Sequence, residues 1–360
     1  MTHRLAAGLR RLLGIAAAMR WLCLEATAAA QETWLVEGLS GVPVTALAAG
    51  VSEPDFLYAG SDSGRVFRSP DSGESWVEAS AGLPAGPIRA LAVHPGDARI
   101  LFAGTDAGVF RSGDGGASWV ASSAGMSGGA VHALAVDPGN PAVVWASADE
   151  PGPLHVYRTA DGGALWQSTI IHGPGFGTPS DFGFVRSLVV RPGTSRIYAG
   201  WHEIVFWSDD GGGIWNKFPD VNFEVMVVRL DPFDPALVYA GTMGRGVARS
   251  VDTAPWTFGE GIGTATVSAL EVDPGEPGLL HAAIRDGGVF RSRDEGQTWL
   301  ELGAIPLPAS ALVVSSGDGT LHAGTSGGVF RWDTPPAPVP RPIIVRARAR
   351  PPTVPVVPRP

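Results

Sequence analysis

The chain has 360 residues, 44% of them hydrophobic with 12 Trp, and also 49 Gly and 31 Pro; this is enough apolar material for a large core, yet it is interrupted too often for long helices. The net charge of −9 divides unevenly: setting aside Glu25 and the nine arginines of residues 1–30 and 335–360 leaves 17 basic and 34 acidic side chains, a balance that repels phosphate backbones and argues against nucleic acid as a partner. The single cysteine, Cys23, falls in a segment read below as a removable leader, so the rest of the chain has no disulfide, thiolate metal site or cysteine nucleophile.

Residues 1–30 place Arg4, Arg10 and Arg11 before an apolar run from Leu12 to Leu24, then Ala28, Ala29 and Ala30 ahead of Gln31. Basic, apolar and small residues in that order form the pattern of a signal peptide. Arg20 leaves the run short of the roughly 18 apolar residues of a membrane span. We expect an exported protein, periplasmic or secreted, with no stable membrane span in its mature form. An organellar transit peptide is the alternative, and Arg10-Arg11 is compatible with twin-arginine export.

Beyond the leader the sequence repeats. The segment from Phe102 to Trp119 recurs around Leu57 to Trp76, Val156 to Trp166, Ile197 to Trp215 and Leu280 to Trp299, with weaker copies from Val238 to Trp256 and Leu321 to Asp333. Asp71, Asp114, Asp161, Asp210, Asp252 and Asp294 mark six copies at spacings of 43, 47, 49, 42 and 42 residues. Each copy reads as four short strands, as in Ile88 to Val93, Ile100 to Gly104, Gly108 to Ser112 and a fourth from Trp119, which is one propeller blade. The seventh copy lacks its fourth strand, and Thr33 to Leu39 matches Ser75 to Leu83. The expected fold is therefore all-β: a single seven-bladed propeller over 31–334, closed by an N-terminal strand that removes the open sheet edges.

Ser69-x-Asp71-x-Gly73-x-x-Trp76, repeated at Ser112–Trp119, Thr159–Trp166, Ser208–Trp215 and Ser292–Trp299, resembles the Asp-box, or bacterial neuraminidase repeat, family of propellers. The Ser250 copy loses the glycine and shifts its aromatic to Trp256. In this motif hydroxyl and carboxylate bond turn amides, glycine permits a positive φ, and tryptophan covers the hairpin base. The six aspartates are thus expected to be structural. No bidentate glutamate follows at the spacing of a calcium loop, so no metal or cofactor is expected.

The resemblance brings sialidases, xyloglucanases, sortilin-type receptors and photosystem II stability and assembly factors into view. A sialidase implies an arginine triad and a tyrosine nucleophile paired with a glutamate. Here Tyr58, Tyr198 and Tyr239 align with Phe102, and Tyr157 with Phe110, so all four read as packing residues. The pattern Gly324-x-Ser326-x-Gly328 aligns with a hairpin turn rather than a strand-to-helix elbow. The sequence points to a binding or assembly protein, non-catalytic, with a protein or peptide as partner; the alternative is a glycan-binding protein or a glycoside hydrolase.

Candidate binding residues are those that break the repeat on the face opposite the Asp-box turns. Aligned first strands place Thr45, Arg89, His132, Arg186, Met226, Ser268 and Ser310 at one position near the channel mouth. Arg89, His132 and Arg186 fall on consecutive blades and suit a carboxylate or an acidic segment, unless neighbours such as Asp62 and Asp106 pair with the arginines. Insertions add Asp149, Glu150, His172 and Asp181, and the adjoining turn of blade four adds His202 and Glu203, on loops of the kind that carry recognition. From Pro335 to Pro360 the chain is dominated by Pro, Val, Ala and Arg and is expected to be a disordered spacer or docking tail.

Overall fold

The computed structural model describes residues 33–173, 184–219 and 221–333. The expected leader, the tail over 335–360 and Asp181 lie outside these residues. Strand β1 spans Thr33–Gly38. The first blade holds β2 (Val44–Ala49), β3 (Leu57–Ser61), β4 (Val66–Ser69) and β5 (Val77–Glu78). The second holds β6 (Ala90–His94), β7 (Asp97–Thr105), β8 (Gly108–Ser112) and β9 (Val120–Ala121). In the third are β10 (Val131–Val136), β11 (Val144–Ala148), β12 (His155–Thr159) and β13 (Trp166–Ile170). The fourth comprises β14 (Ser187–Val190), β15 (Ile197–Trp201), β16 (Ile204–Ser208) and β17 (Asn216–Lys217). Blade five has β18 (Val225–Leu230), β19 (Leu237–Thr242), β20 (Val247–Val251) and β21 (Thr257–Phe258), and blade six β22 (Val267–Val272), β23 (Leu280–Ile284), β24 (Val289–Ser292) and β25 (Leu300–Glu301). Finally β26 (Ala309–Val314), β27 (Leu321–Thr325) and β28 (Gly328–Asp333) are joined by β1 in a sheet of order β1-β28-β27-β26. The protein is a seven-bladed β-propeller whose N-terminal strand completes the last blade.

Burial follows strand position. Second strands such as β3, β11 and β15 are buried along their whole length because the neighbouring blades cover both faces. Fourth strands, at the rim, are reduced in most blades to two residues, as at Val77–Glu78 and Val120–Ala121. The core is accordingly divided into seven apolar layers, each between two adjacent blades. Close approach between blades depends on the glycine of the second strand. A Cβ on Gly60 would stand 2.5 Å from Ile88, and one on Gly241 2.6 Å from Val267, both far inside contact distance. Blade three has Ser147 in this place, and its hydroxyl donates to the Val185 carbonyl of the next blade at 2.6 Å.

The Ser-x-Asp-x-Gly turns build one hydrogen-bonded unit in five blades. In the second blade Ser112 donates to Asp114 at 2.8 Å and accepts from the Gly116 amide at 2.9 Å. The same carboxylate accepts from the amide and hydroxyl of Ser118, at 2.8 and 2.5 Å. Gly116 has φ +88°, which a side chain would strain. Asp71, Asp161, Asp210 and Asp294 make the corresponding turn bonds. These donors favour the charged carboxylate, and in Asp71 and Asp114 they hold the pKa below the ordinary value. Asp252 differs. With Ala254 where the others have glycine, Ser250 donates to the Ala254 carbonyl and Asp252 turns to Arg191 at 3.3 Å, so it does not close the turn as expected. Replacing Ser112 with alanine strands the Gly116 amide, and we expect a loss of about 1–3 kcal/mol by urea denaturation, against little change for Ser250→Ala.

Closure of the ring has chemistry of its own. Trp34 of β1 packs on Trp332 of β28, with ring centroids 5.3 Å apart. Beneath them the Glu37 carboxylate meets His322 of β27 at 2.6 Å, with side chains 2% and 0% exposed. Arg331 approaches the other Glu37 oxygen at 4.0 Å. Blade one covers the pair, since a Cβ on Gly73 would fall 2.3 Å from the Glu37 carboxyl.

Candidate functional site

The seven residues aligned from sequence do form a ring, and all of them line one cavity of about 230 Å³ at the channel. In five blades the pairing of first and second strands slips at this residue, for instance between Val44 and Ala46 and between Val131 and Ala133. The slip is a bulge, which turns a side chain out of the ladder. Arg89 and Arg186 stand just before β6 and β14, and their amides donate to the Gly104 and Gly200 carbonyls at 2.9 Å each.

The ring is asymmetric. Thr45, Ser268 and Ser310 fold their hydroxyls onto carbonyls of the next blade, Ile88, Ala309 and Val44, at 2.7, 2.7 and 2.6 Å. That side of the mouth is low. Arg89, His132, Arg186 and Met226, on four successive blades, raise a wall on the other side and enclose a recess of about 300 Å³ with Thr45, Pro87, Ile88 and Phe184.

Both arginines of the wall are paired. Arg89 meets Asp106 at 2.6 Å, one of the two acids weighed from sequence, and Arg186 meets Glu224 at 3.1 Å. Asp62 makes no ion pair among the described residues. His132 stacks on Phe184, with centroids 3.4 Å apart and planes 8° from parallel. Burial first, and then the Arg89 charge, push the imidazole down to about 4, with Asp149 and Asp106 opposing and Arg186 adding. The expected basic cluster is thus two neutralised guanidinium groups beside a neutral aromatic stack. The unfolded chain takes up this proton near the ordinary 6.5 and the folded chain near 4. The stability of the neutral ring is therefore full above 6.5 and lost as pH falls towards 4. An NMR titration of His132 is expected to show the lower midpoint, and the ordinary value would mean a solvated ring.

Deeper in the bore, Arg229 and Glu271 pair at 3.4 Å. Glu271 is half-buried, and its burial raises the carboxyl pKa against the opposing pull of Arg229.

The loop and turn residues singled out from sequence do not gather in one place. Glu203 and His202 line a second recess, of about 450 Å³, with Trp201, Lys217 and Glu224, so the Arg186–Glu224 pair joins it to the mouth. His202 has φ +44°, and its ring meets Trp201 edge-on at 4.8 Å. Asp149 is exposed and acts on His132. Glu150 turns away and accepts from the Tyr157 hydroxyl at 2.5 Å. His172 sits at the outer edge of its blade, where its carbonyl accepts from the Trp215 amide at 3.1 Å.

Tyr157–Glu150 is a tyrosine–carboxylate pair that alignment alone does not disclose. Tyr157 is fully buried, however, and burial followed by the Glu150 bond raises its pKa, the opposite of activating a nucleophile. Tyr58 is likewise pushed up to about 12 by burial. Among the described residues no group of three or more His, Cys, Asp or Glu side chains is placed to hold a metal ion. Two residues of the mouth escape sequence reasoning. Phe184 occupies the place of Pro87 and Ala130, so an aromatic among small residues is a usable signal. Glu224 occupies the same place before Met226, so an acid there stands out too, but its pairing with Arg186, 38 residues away, does not.

No protein-family model and no curated protein matches the chain. Among solved structures it is similar to a GH74 xyloglucanase from Xanthomonas campestris, with TM-score 0.65 and 19% identity over 83% of this chain and 53% of that one. It is also similar to YCF48 from Cyanidioschyzon merolae, with TM-score 0.63 and 15% identity over 83% of this chain and 98% of that one. A structure described as YCF48 bound to D1 peptide gives TM-score 0.62 and 16% identity, over 84% and 97%. The chain spans about half the length of the xyloglucanase it matches and nearly the whole of YCF48. At these identities the likeness is one of fold, and the fold shared is a single propeller.

Proposed function

We propose that this chain is an exported propeller that binds a protein or peptide segment at the walled side of its channel mouth. The observation that carries the reading is the recess itself. Arg89, His132, Phe184, Arg186 and Met226 break the repeat, adjoin one another and face an open cavity, whereas the residues kept by the repeat are consumed in packing and turns. A propeller of similar length with a bound peptide is a precedent for that class of ligand. Export rests on the order of charges and apolar residues over 1–30, and the turn chemistry supports an Asp-box ancestry.

A glycan-processing role has less to support it. Of the carboxylates on the insertions near the mouth, Glu150 is engaged by Tyr157, Asp149 is exposed beside His132, and Asp181 is outside the described residues. Affinity capture of the full chain's partners from its own cell envelope tests the reading. Wild type is expected to retain a polypeptide that an Arg186→Ala/Met226→Ala double variant, equally folded by circular dichroism, releases. Equal retention by both would remove the mouth from consideration.

A further inference from the structure

We infer that the mouth selects its partner through a neutral aromatic side chain that enters the recess between the His132–Phe184 stack and Met226. The inference rests on the peptide-binding reading and specifies its chemistry.

Three features of the recess lead to it. Its walls are surfaces that favour flat rings: a stacked imidazole and phenyl pair with planes 8° apart, a methionine, and the Arg186 guanidinium, 5.6 Å from the Phe184 centroid. Thioethers and guanidinium groups both contact aromatic rings favourably. Its size, about 300 Å³, is at the lower end for ligand sites, which suits one side chain better than a folded surface. Its charge is balanced. Arg89 and Arg186 are already neutralised by Asp106 and Glu224, Asp149 stands exposed nearby, and the body as a whole is acidic. An anionic ligand would have to displace two existing carboxylates and approach a third, whereas an uncharged ring leaves both ion pairs intact. The low side of the ring, formed by Thr45, Ser268 and Ser310, leaves room for the backbone that carries such a side chain.

The test uses blocked pentapeptides Gly-Gly-X-Gly-Gly, with X tryptophan, tyrosine, leucine or aspartate, titrated into the full chain labelled with ¹³C at methionine methyls. The Met226 resonance, assigned by its loss in Met226→Leu, reports on the recess. The tryptophan and tyrosine peptides are expected to shift it saturably, with affinity at least about fivefold above the leucine and aspartate peptides. Phe184→Ala should reduce that preference. If the aspartate or leucine peptide shifts Met226 as strongly as the aromatic ones, the aromatic inference is overturned while peptide binding at the mouth stands. If none of the peptides moves Met226, both are overturned.

Discussion

Glu37→Ala is expected to destabilise the propeller by about 3 kcal/mol, the upper end of what it costs to leave a buried hydrogen-bonding group without its partner. His322, fully buried, and Arg331 would be left facing an empty space where the carboxylate stood. The effect should concentrate on closure, because Glu37 belongs to β1 while its partners lie on β27 and β28, at the other end of the chain. Urea unfolding followed by tryptophan fluorescence gives the size of the loss. Hydrogen exchange gives its place: the β1 amides that bond to β28 should lose protection before those of the fourth blade. Glu37→Gln keeps the shape and one acceptor, so it should cost less than alanine. Equal stability of Glu37→Ala and wild type would mean that the pair contributes nothing to closure.

A loss at least as large, about 3–5 kcal/mol, is expected for Trp166→Ala. This indole is 2% exposed and lies in the layer between blades two and three with Phe102, Val131 and Tyr157. Its Nε1 also donates to the Ser122 carbonyl at 2.6 Å. Truncation opens a large cavity and frees a buried acceptor. Trp256 of the fifth blade is half-buried, and its Nε1 has no partner among the described residues, so the same substitution there should cost clearly less. Comparing the two separates the packing of a regular blade from that of the degenerate one.

The fold was legible because the repeat encodes it locally. Each serine–aspartate–glycine–tryptophan turn fixes where a third strand ends and a fourth begins, and the match of Thr33–Leu39 to Ser75–Leu83 placed β1 in the last blade. The mouth ring could be aligned because the first strands share one apolar register. Its electrostatics were not legible. The pairing of Arg186 with Glu224 depends on the adjacency of blades four and five, and the neutrality of His132 depends on burial against Phe184, which follows an insertion outside the repeat.

The closure pair lies between these cases. Glu37 aligns with Ala79, an inward position, and His322 aligns with Tyr58 and Phe102. An acid and an imidazole at two core positions of one blade are a readable sign of a buried pair. The Asp252 turn shows the opposite limit: the missing glycine was visible, but the turn's rebuilding through the Ala254 carbonyl and the transfer of Asp252 to Arg191 was not.

The most direct test of partner binding at the mouth is site-specific photo-crosslinking in the producing cell. A benzophenone side chain replaces Met226 in the full chain, and a second protein carries it at Leu165, an exposed position on the opposite, Asp-box face. Binding at the mouth predicts a discrete polypeptide adduct from position 226, abolished by Arg186→Ala, and none from position 165. An adduct only from position 165, or a glycan rather than a polypeptide at position 226, would contradict it.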